Sequence, residues 1–270
     1  MPLLLWIILF TALGGVLSAV AASIFLLTPN ALRGRVLPHL VSFATGALLG
    51  AALLGLLPHA IEEIGVDSIH NVGLALLVGL LIFFVLEKLV LWRHCHSEVC
   101  EGHVPHGHDH AGHGHHHDKS RDAASANLIL IGDGFHNILD GVLIAAAFMT
   151  DVHLGVVTAI AVMAHEIPQE VGDLAILLHG GMSRRKAFIL NTLTSLSSVI
   201  GGIAAYFFLG NSLQILPYAL TIAASSFLYI AVADLIPGLH RRVDPGSGLK
   251  QFIFIVLGVG VIYVSHTLAH

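Results

Sequence analysis

The chain has 270 residues, 56% of them hydrophobic and 11% charged, and its mean hydropathy is +0.85. Because about a quarter of a typical soluble domain is charged, this composition excludes a water-soluble fold and favours a protein that lies in a lipid bilayer. The two cysteines, Cys95 and Cys100, are too few for a disulfide scaffold, and no strongly basic domain suggests nucleic-acid binding. The formal net charge of −5 says little, because what matters is where the charges lie.

Eight apolar stretches approach the ~20 residues with which an α-helix crosses the hydrocarbon layer. We therefore predict an all-α bundle of eight transmembrane helices, at residues 2–27, 36–58, 71–92, 127–149, 153–178, 186–209, 213–237 and 249–268. Helices one to three lie within residues 1–93, a histidine-rich loop covers 94–122, and helices four to eight lie within 123–270. Small residues on several helices suit close packing and permit a homodimer.

Short sequence matches suggest an internal repeat. Helix two ends in LLPHA at residues 56–60 and helix seven in DLIPGLH at 234–240, while helices one and six each carry a Gly-Gly pair, at 14–15 and 201–202. Two three-helix halves of inverted topology around a central helix pair would give such matches.

The basic residues fall in or beside alternate loops, and the other loops carry acidic residues without Lys or Arg. The twelve basic residues are Arg33, Arg35, Lys88, Arg93, Lys119, Arg121, Arg184, Arg185, Lys186, Arg241, Arg242 and Lys250. By the positive-inside rule, both termini lie outside and the loop 94–122 is cytoplasmic. Short loops without a large outer domain favour a cell membrane, and in particular a bacterial inner membrane.

The loop after helix three holds ten of the twenty histidines. It is polar and rich in glycine, which predicts a disordered segment. Imidazoles and cytoplasmic thiolates bind transition metals, so the loop either accepts metal ions or is only a solubilising linker. Its candidate ligands are Cys95, Cys100, His106, His108, His110, His113, His115, His116 and His117.

Helices four and five carry polar residues at depths where the other helices are apolar. Helix four contains GDGFHNILDG, with Asp133, His136, Asn137 and Asp140, and helix five contains HEIPQEVGD, with His165, Glu166, Gln169, Glu170 and Asp173. A charge at the bilayer centre costs at least ~2.5–3.5 kcal/mol, so such residues usually mark an ion pathway.

The spacing of these residues places them together. His136 and Asp140 are four residues apart, as are His165 and Gln169, so each pair shares a helix face. Counted from the outer ends of helices four and five, both histidines lie roughly 20 Å deep. Pro168 interrupts the backbone ladder beside them.

A mixed set of imidazoles and carboxylates suits Zn²⁺, with Fe²⁺, Mn²⁺ or Co²⁺ as alternatives. Two other interpretations of the same residues are a proton relay and a buried network that only fixes helix packing. Since metal ligands must be deprotonated, binding is predicted to weaken at acidic pH.

Both helices resemble the ZIP (Zrt/Irt-like) family of divalent-metal transporters, in the branch with HNxxDG in helix four and HEIPHE followed by a Gly-Asp pair in helix five. The corresponding residues here are 136–141 and 165–173. The resemblance also covers the eight helices, the outer termini and the histidine-rich cytoplasmic loop.

The family resemblance implies a metal centre with two positions between helices four and five. It assigns His136, Asp140, His165 and Gln169 to the first position, and Asn137 and Glu166 to the second with Gln169 between them; Glu170 adjoins the set. This chain departs from the branch at Gln169, which stands in place of a histidine and is a weak neutral ligand. The departure also removes the HExxH spacing of a zinc protease.

Further acidic and imidazole side chains mark a pathway on either side of the centre. His59, Glu62 and Glu63 follow Pro58 at the outer end of helix two, and Asp133, Asp173 and Asp234 lie toward the cytoplasm. We therefore predict a zinc transporter that moves metal into the cytoplasm and is not an enzyme. The alternatives are a membrane metal sensor and a proton- or sodium-coupled carrier.

Overall fold

The computed structural model describes residues 2–65, 68–94, 118–179, 181–211, 213–240 and 245–267. Every regular element within these ranges is helical. The candidate ligands of the histidine-rich loop, at positions 95–117, lie outside the described residues.

The described residues form eight helices in chain order, some of which consist of two or three consecutive segments. They are α1 (Leu3–Leu26), α2 (Asn30–Gly50, Ala51–Leu56 and Leu57–Ile64), α3 (Ile69–His94), α4 (Asp118–Thr150), α5 (Val152–His179), α6 (Arg184–Ser195 and Ser197–Gly210), α7 (Leu216–Tyr229, Ile230–Leu235 and Ile236–His240) and α8 (Pro245–Thr267). Seven of them are long and apolar enough to cross a membrane. The eighth, α5, has 28 residues but carries three carboxylates.

The helices are longer than their apolar cores. α4 begins at Asp118, so residues 118–122, which we assigned to the loop, are helical. α2 begins at Asn30 and its last segment continues to Ile64, where the prediction gave 36–58. Polar residues beyond the hydrocarbon layer can continue a helix in water, so hydropathy locates the buried part of each helix and not its ends.

α2 and α7 share an unusual local structure. Each contains a six-residue π-helical segment, Ala51–Leu56 and Ile230–Leu235, and each segment is followed two residues later by a proline, Pro58 and Pro237. A proline cannot donate to the carbonyl four residues earlier and its ring crowds that carbonyl, which the wider π turn relieves. The two segments overlap LLPHA and DLIPGLH, the pair of matching sequences in helices two and seven that suggested an inverted repeat.

The pairs of helices that pack together also match an inverted repeat. α4 packs mainly against α6, and α1 packs against α5; α2 pairs with α8, and α3 pairs with α7. Glycine allows these close approaches: a Cβ at Gly46 would lie 2.0 Å from the carbonyl oxygen of Ile255 on α8, and one at Gly201 would lie 2.0 Å from that of Ile138 on α4. These pairings are those that two inverted halves around α4 and α5 would make.

The outer surface of the bundle is apolar. Large side chains such as Leu74 and Leu81 on α3 and Phe252 and Val256 on α8 are about half exposed or more. A water-facing surface would not carry so continuous an apolar cover, whereas the hydrocarbon layer solvates it. Buried polar residues are concentrated on α4, α5 and α6, in the middle of this multi-pass membrane protein.

Candidate metal centre

One residue, Asp151, connects α4 and α5 and fixes their register. Its carboxylate accepts the backbone N–H groups of His153 at 2.8 Å and Leu154 at 3.0 Å, and so caps the start of α5. Partial burial opposes ionisation, but these hydrogen bonds and nearby histidines outweigh it and lower the pKa of Asp151. Counted from this turn, His136 and His165 both lie roughly 21–22 Å into the bundle.

Four side chains of α4 and α5 converge at that depth. The Nε2 atoms of His136 and His165 are 3.3 Å apart. The Asp140 Oδ2 lies 3.8 Å from His136 Nε2 and 3.3 Å from His165 Nε2, and the Glu166 Oε1 lies 3.6 Å from each of the two Nε2 atoms. One ligand atom from each residue falls within 4.8 Å of all the others.

These separations match the edges of a small metal coordination shell. Zinc binds histidine nitrogen and carboxylate oxygen at about 2.0–2.2 Å in a tetrahedron, which requires ligand atoms roughly 3.3–3.6 Å apart. The five interatomic distances of 3.3–3.8 Å lie at or just above that range. Since the ligand atoms all lie within 4.8 Å of one another, one cation could bind all four once the two carboxylates move closer together.

The orientation of the His165 ring leaves the Nε2 lone pair available for a metal ion among the four ligand atoms. Its Nδ1 lies 3.3 Å from the carbonyl oxygen of Ala161. Because a carbonyl only accepts, Nδ1 carries the hydrogen and Nε2 of the neutral ring is free to bind a metal. The ring of Phe227 packs edge-on against the imidazole with centroids 6.3 Å apart. The sequence reasoning missed both supporting contacts, since they involve a backbone carbonyl and another helix.

The two carboxylates of the group are buried without hydrogen-bond donors. Asp140 and Glu166 are 1% and 2% exposed, and none of their four carboxylate oxygens has a hydrogen-bond partner among the described residues. A buried anion with no partner is strongly unfavourable. A cation between the carboxylates would supply the missing partner, whereas a network that only fixed helix packing would be expected to satisfy them internally.

Asn137 and Gln169 lie beside the four-residue group, toward Asp133. Asn137 Nδ2 donates to the Asp133 carboxylate at 2.8 Å and to its backbone carbonyl at 3.1 Å. Gln169 and Thr194 also interact with the Asp133 carboxyl group. Glu166 thus contributes to the four-residue group, while the side chain of Gln169 interacts with Asp133.

Glu170 is turned away from this group toward α6. Asn191 Nδ2 and Ser195 Oγ donate to its two carboxylate oxygens, and all three residues are fully buried. The sequence analysis grouped Glu170 with the metal residues and did not identify Asn191 or Ser195 as its partners. The signal that was available is their spacing of four residues, which puts both on one face of α6.

The outer pathway residues lie at the end of α2. His59 is half-buried, its Nδ1 donates to the Gly55 carbonyl at 2.9 Å, and it interacts electrostatically with Glu63 and Asp151. Glu62 and Glu63 are exposed.

The inner pathway residues approach the centre from two helices. Asp173 of α5 is half-buried and interacts electrostatically with Asp133. Asp234 lies in the π-helical segment of α7, where its carboxyl interacts with Glu87, His136 and His165. Acidic groups of α5 and α7 therefore lie on the side of the centre away from His59, Glu62 and Glu63.

A helical membrane bundle with a buried imidazole–carboxylate cluster at its centre defines a class of membrane proteins that handle metal ions. The sequence profile of the ZIP zinc transporters matches residues 3–266. The chain therefore belongs to the ZIP zinc transporter family, as the sequence motifs predicted. This family consists of transporters, which confirms that the chain is not an enzyme.

Three curated relatives illustrate the similarity. Zinc transporter zipt-7.1 of Caenorhabditis briggsae is 31% identical over 313 residues, covering 96% of this chain and 78% of the relative. Zinc transporter YKE4 of Saccharomyces cerevisiae is 30% identical over 240 residues, covering 83% and 69%. Human zinc transporter ZIP4 is 29% identical over 291 residues, and the match covers 88% of this chain and 44% of the human protein.

Proposed function

We propose that this protein carries Zn²⁺ across the membrane through a site formed by His136, Asp140, His165 and Glu166, between α4 and α5. The observation that carries the proposal is the convergence of four ligand atoms, with five separations of 3.3–3.8 Å. Among the described residues, the two buried carboxylates are paired only with the two imidazoles. The two imidazoles favour zinc over calcium or magnesium, and Fe²⁺, Mn²⁺ and Co²⁺ are the closest competitors.

The direction we propose is inward, with both termini outside. Alternate basic loops support this orientation. Zn²⁺ would shed water near His59, Glu62 and Glu63, bind at the centre, and leave along Asp133, Asp173 and Asp234. Movement of α4 and α5 against the surrounding helices would open the site to each side in turn.

The neighbouring polar residues have separate roles in this proposal. Asn137 and Gln169 both interact with Asp133 and would bind an ion in a second position or on its way inward. Glu170 has both oxygens occupied by α6, so we assign it to positioning α5 and not to metal binding.

The cytoplasmic loop would receive the metal. Cys95, Cys100 and the loop histidines offer many weak ligands, so they would buffer zinc as it leaves the membrane. A homodimer and a location in a bacterial inner membrane stay predictions from sequence. The curated relatives named above are eukaryotic, so they do not support the bacterial location.

Zinc uptake into proteoliposomes tests the proposal against its alternatives. Wild-type protein should accumulate isotopic zinc, and His136→Ala or His165→Ala should lower the rate by at least about 100-fold, because each removes a direct ligand. His153→Ala, at an exposed histidine on the same helix α5, is the matched control and should leave uptake unchanged. A metal sensor would give no flux with any variant, and a proton or sodium carrier would show flux that is independent of zinc.

A further inference from the structure

A groove on the lipid-facing side of the bundle is not used by the metal pathway. It lies between α4 and α6 and has a volume of about 310 Å³. Its walls include Ile131, Phe135 and Ile138 from α4 and Leu190 and Leu193 from α6. Ile131, Phe135 and Leu193 are each more than half exposed, so the groove opens directly toward the membrane.

The few polar groups that line the groove are already satisfied. Ser197 Oγ donates to the Gly134 carbonyl on α4 at 2.8 Å, and Thr194 Oγ1 donates to the Asn191 carbonyl at 2.8 Å. Both hydroxyls are thus engaged within the wall, which leaves an apolar lining. Such a groove suits a hydrocarbon chain and offers nothing to a polar ligand.

Three basic residues begin α6, the helix that forms one wall of the groove. Arg184, Arg185 and Lys186 form the first turn of α6, are exposed, and make no ion pair with any described residue. Lys186 precedes Leu190 by four residues and Leu193 by seven, so it extends the face of α6 that lines the groove. Its Cα lies only about 6 Å along the helix from that of Leu190.

We propose that this groove binds one anionic phospholipid, with the phosphate and headgroup at Arg184, Arg185 and Lys186 and an acyl chain along α4 and α6. Basic residues between transmembrane helices at the membrane surface are suited to anionic headgroups. The charge at one end and the apolar lining along the rest match the two parts of a lipid. A second protein copy would bury the apolar wall but would leave the three cations without partners.

The lipid would contact α4, one of the two helices that carry the proposed metal ligands. Phe135 lines the groove, while the next residue, His136, belongs to the metal group on the other side of α4. Occupation of the groove therefore supports the position of α4 against α6. The inference depends on membrane embedding alone, so lipid binding is tested separately from zinc transport.

Native mass spectrometry of the full-length protein, with phosphatidylglycerol and phosphatidylcholine in equal amounts, tests this site. Wild type should retain one phosphatidylglycerol preferentially. The triple variant Arg184→Gln, Arg185→Gln and Lys186→Gln should lower that retention by about tenfold or more. Leu193→Trp should also lower it by filling the groove without a change of charge.

Matched controls separate the site from general effects. Arg241→Gln, Arg242→Gln and Lys250→Gln remove the same charge elsewhere, and Leu81→Trp adds the same bulk at an exposed position of α3; both should retain the lipid. Soluble glycerol phosphate should not compete, since it lacks the acyl chain. The proposal would be overturned if wild type retained the two lipids equally, or if a control variant lost as much lipid as its test variant. It would also be overturned by a dimer that Leu193→Trp dissociates without any loss of lipid.

Discussion

Asn191 on α6 donates its side-chain amide to the carboxylate of Glu170 on α5, and Ser195, one turn further along α6, donates to the other oxygen of the same carboxylate. All three residues are 0% exposed. This contact fixes the metal helix α5 to α6 one turn below the central histidines. It also explains why Glu170, four residues after Glu166, is not part of the metal group.

Removing this contact should weaken the fold more than it weakens metal recognition. Asn191→Ala leaves a buried oxygen of Glu170 without its donor, which costs about 1–3 kcal/mol. The melting temperature in detergent should fall, while the apparent KM for zinc uptake should change little. Asn211→Ala, at an exposed asparagine beyond the end of α6, is the control and should leave the melting temperature unchanged. A large rise in KM without loss of stability would instead make Glu170 a metal ligand.

The ligand assignment predicts an order of effects along α5. Gln169 interacts with Asp133 and is not in the four-residue group, so Gln169→Ala should weaken apparent zinc affinity by about 10–100-fold, as for side chains that support metal ligands. His165→Ala and Glu166→Ala remove direct ligands and should abolish saturable uptake. The comparison is made by zinc uptake into proteoliposomes as a function of zinc concentration. Equal losses for Gln169→Ala and Glu166→Ala would return Gln169 to the first coordination position.

The histidine pairing was predictable from the sequence, but the sequence did not decide between Glu166 and Gln169 for the first metal position. His136 and His165 lie at similar distances from the short connection at Asp151, so counting residues places them at one depth. The choice between Glu166 and Gln169, which differ by three positions on α5, depends on how α5 is rotated about its axis. That rotation is set by contacts between helices, including Glu170 with Asn191 and the close approach of α1 to α6 at Gly15, and these contacts have no local sequence signal.

The helix cap at Asp151 gives a pH dependence with a defined sign. Asp151→Ala should lower the free energy of unfolding by about 1 kcal/mol at neutral pH. Because the folded-state pKa of Asp151 is below its ordinary value of 3.8, the stabilisation is fully present above that value and is lost as the pH falls through the folded-state pKa. Thermal unfolding of wild type and Asp151→Ala should therefore differ by the same amount from pH 7 to 5 and converge only below about pH 4. Convergence already at pH 6 would contradict the assignment.

Chemical labelling of the two native cysteines tests the membrane orientation. Cys95 and Cys100 are the only cysteines of the chain, and the basic residues around their loop predict that it is cytoplasmic. A membrane-impermeant maleimide should label them in broken cells and leave them unlabelled in intact cells. In a variant with both cysteines changed to serine, Ser68→Cys between α2 and α3 should give the opposite result. Labelling of Cys95 and Cys100 in intact cells would reverse the proposed orientation.

Anomalous diffraction at the zinc edge, from crystals grown with Zn²⁺, tests the central claim most directly. The account predicts a peak between α4 and α5 within about 2.0–2.2 Å of the Nε2 atoms of His136 and His165 and of an oxygen each from Asp140 and Glu166. It also predicts that this peak disappears in His165→Ala crystals. A zinc-loaded crystal with no peak between those four side chains would contradict the account.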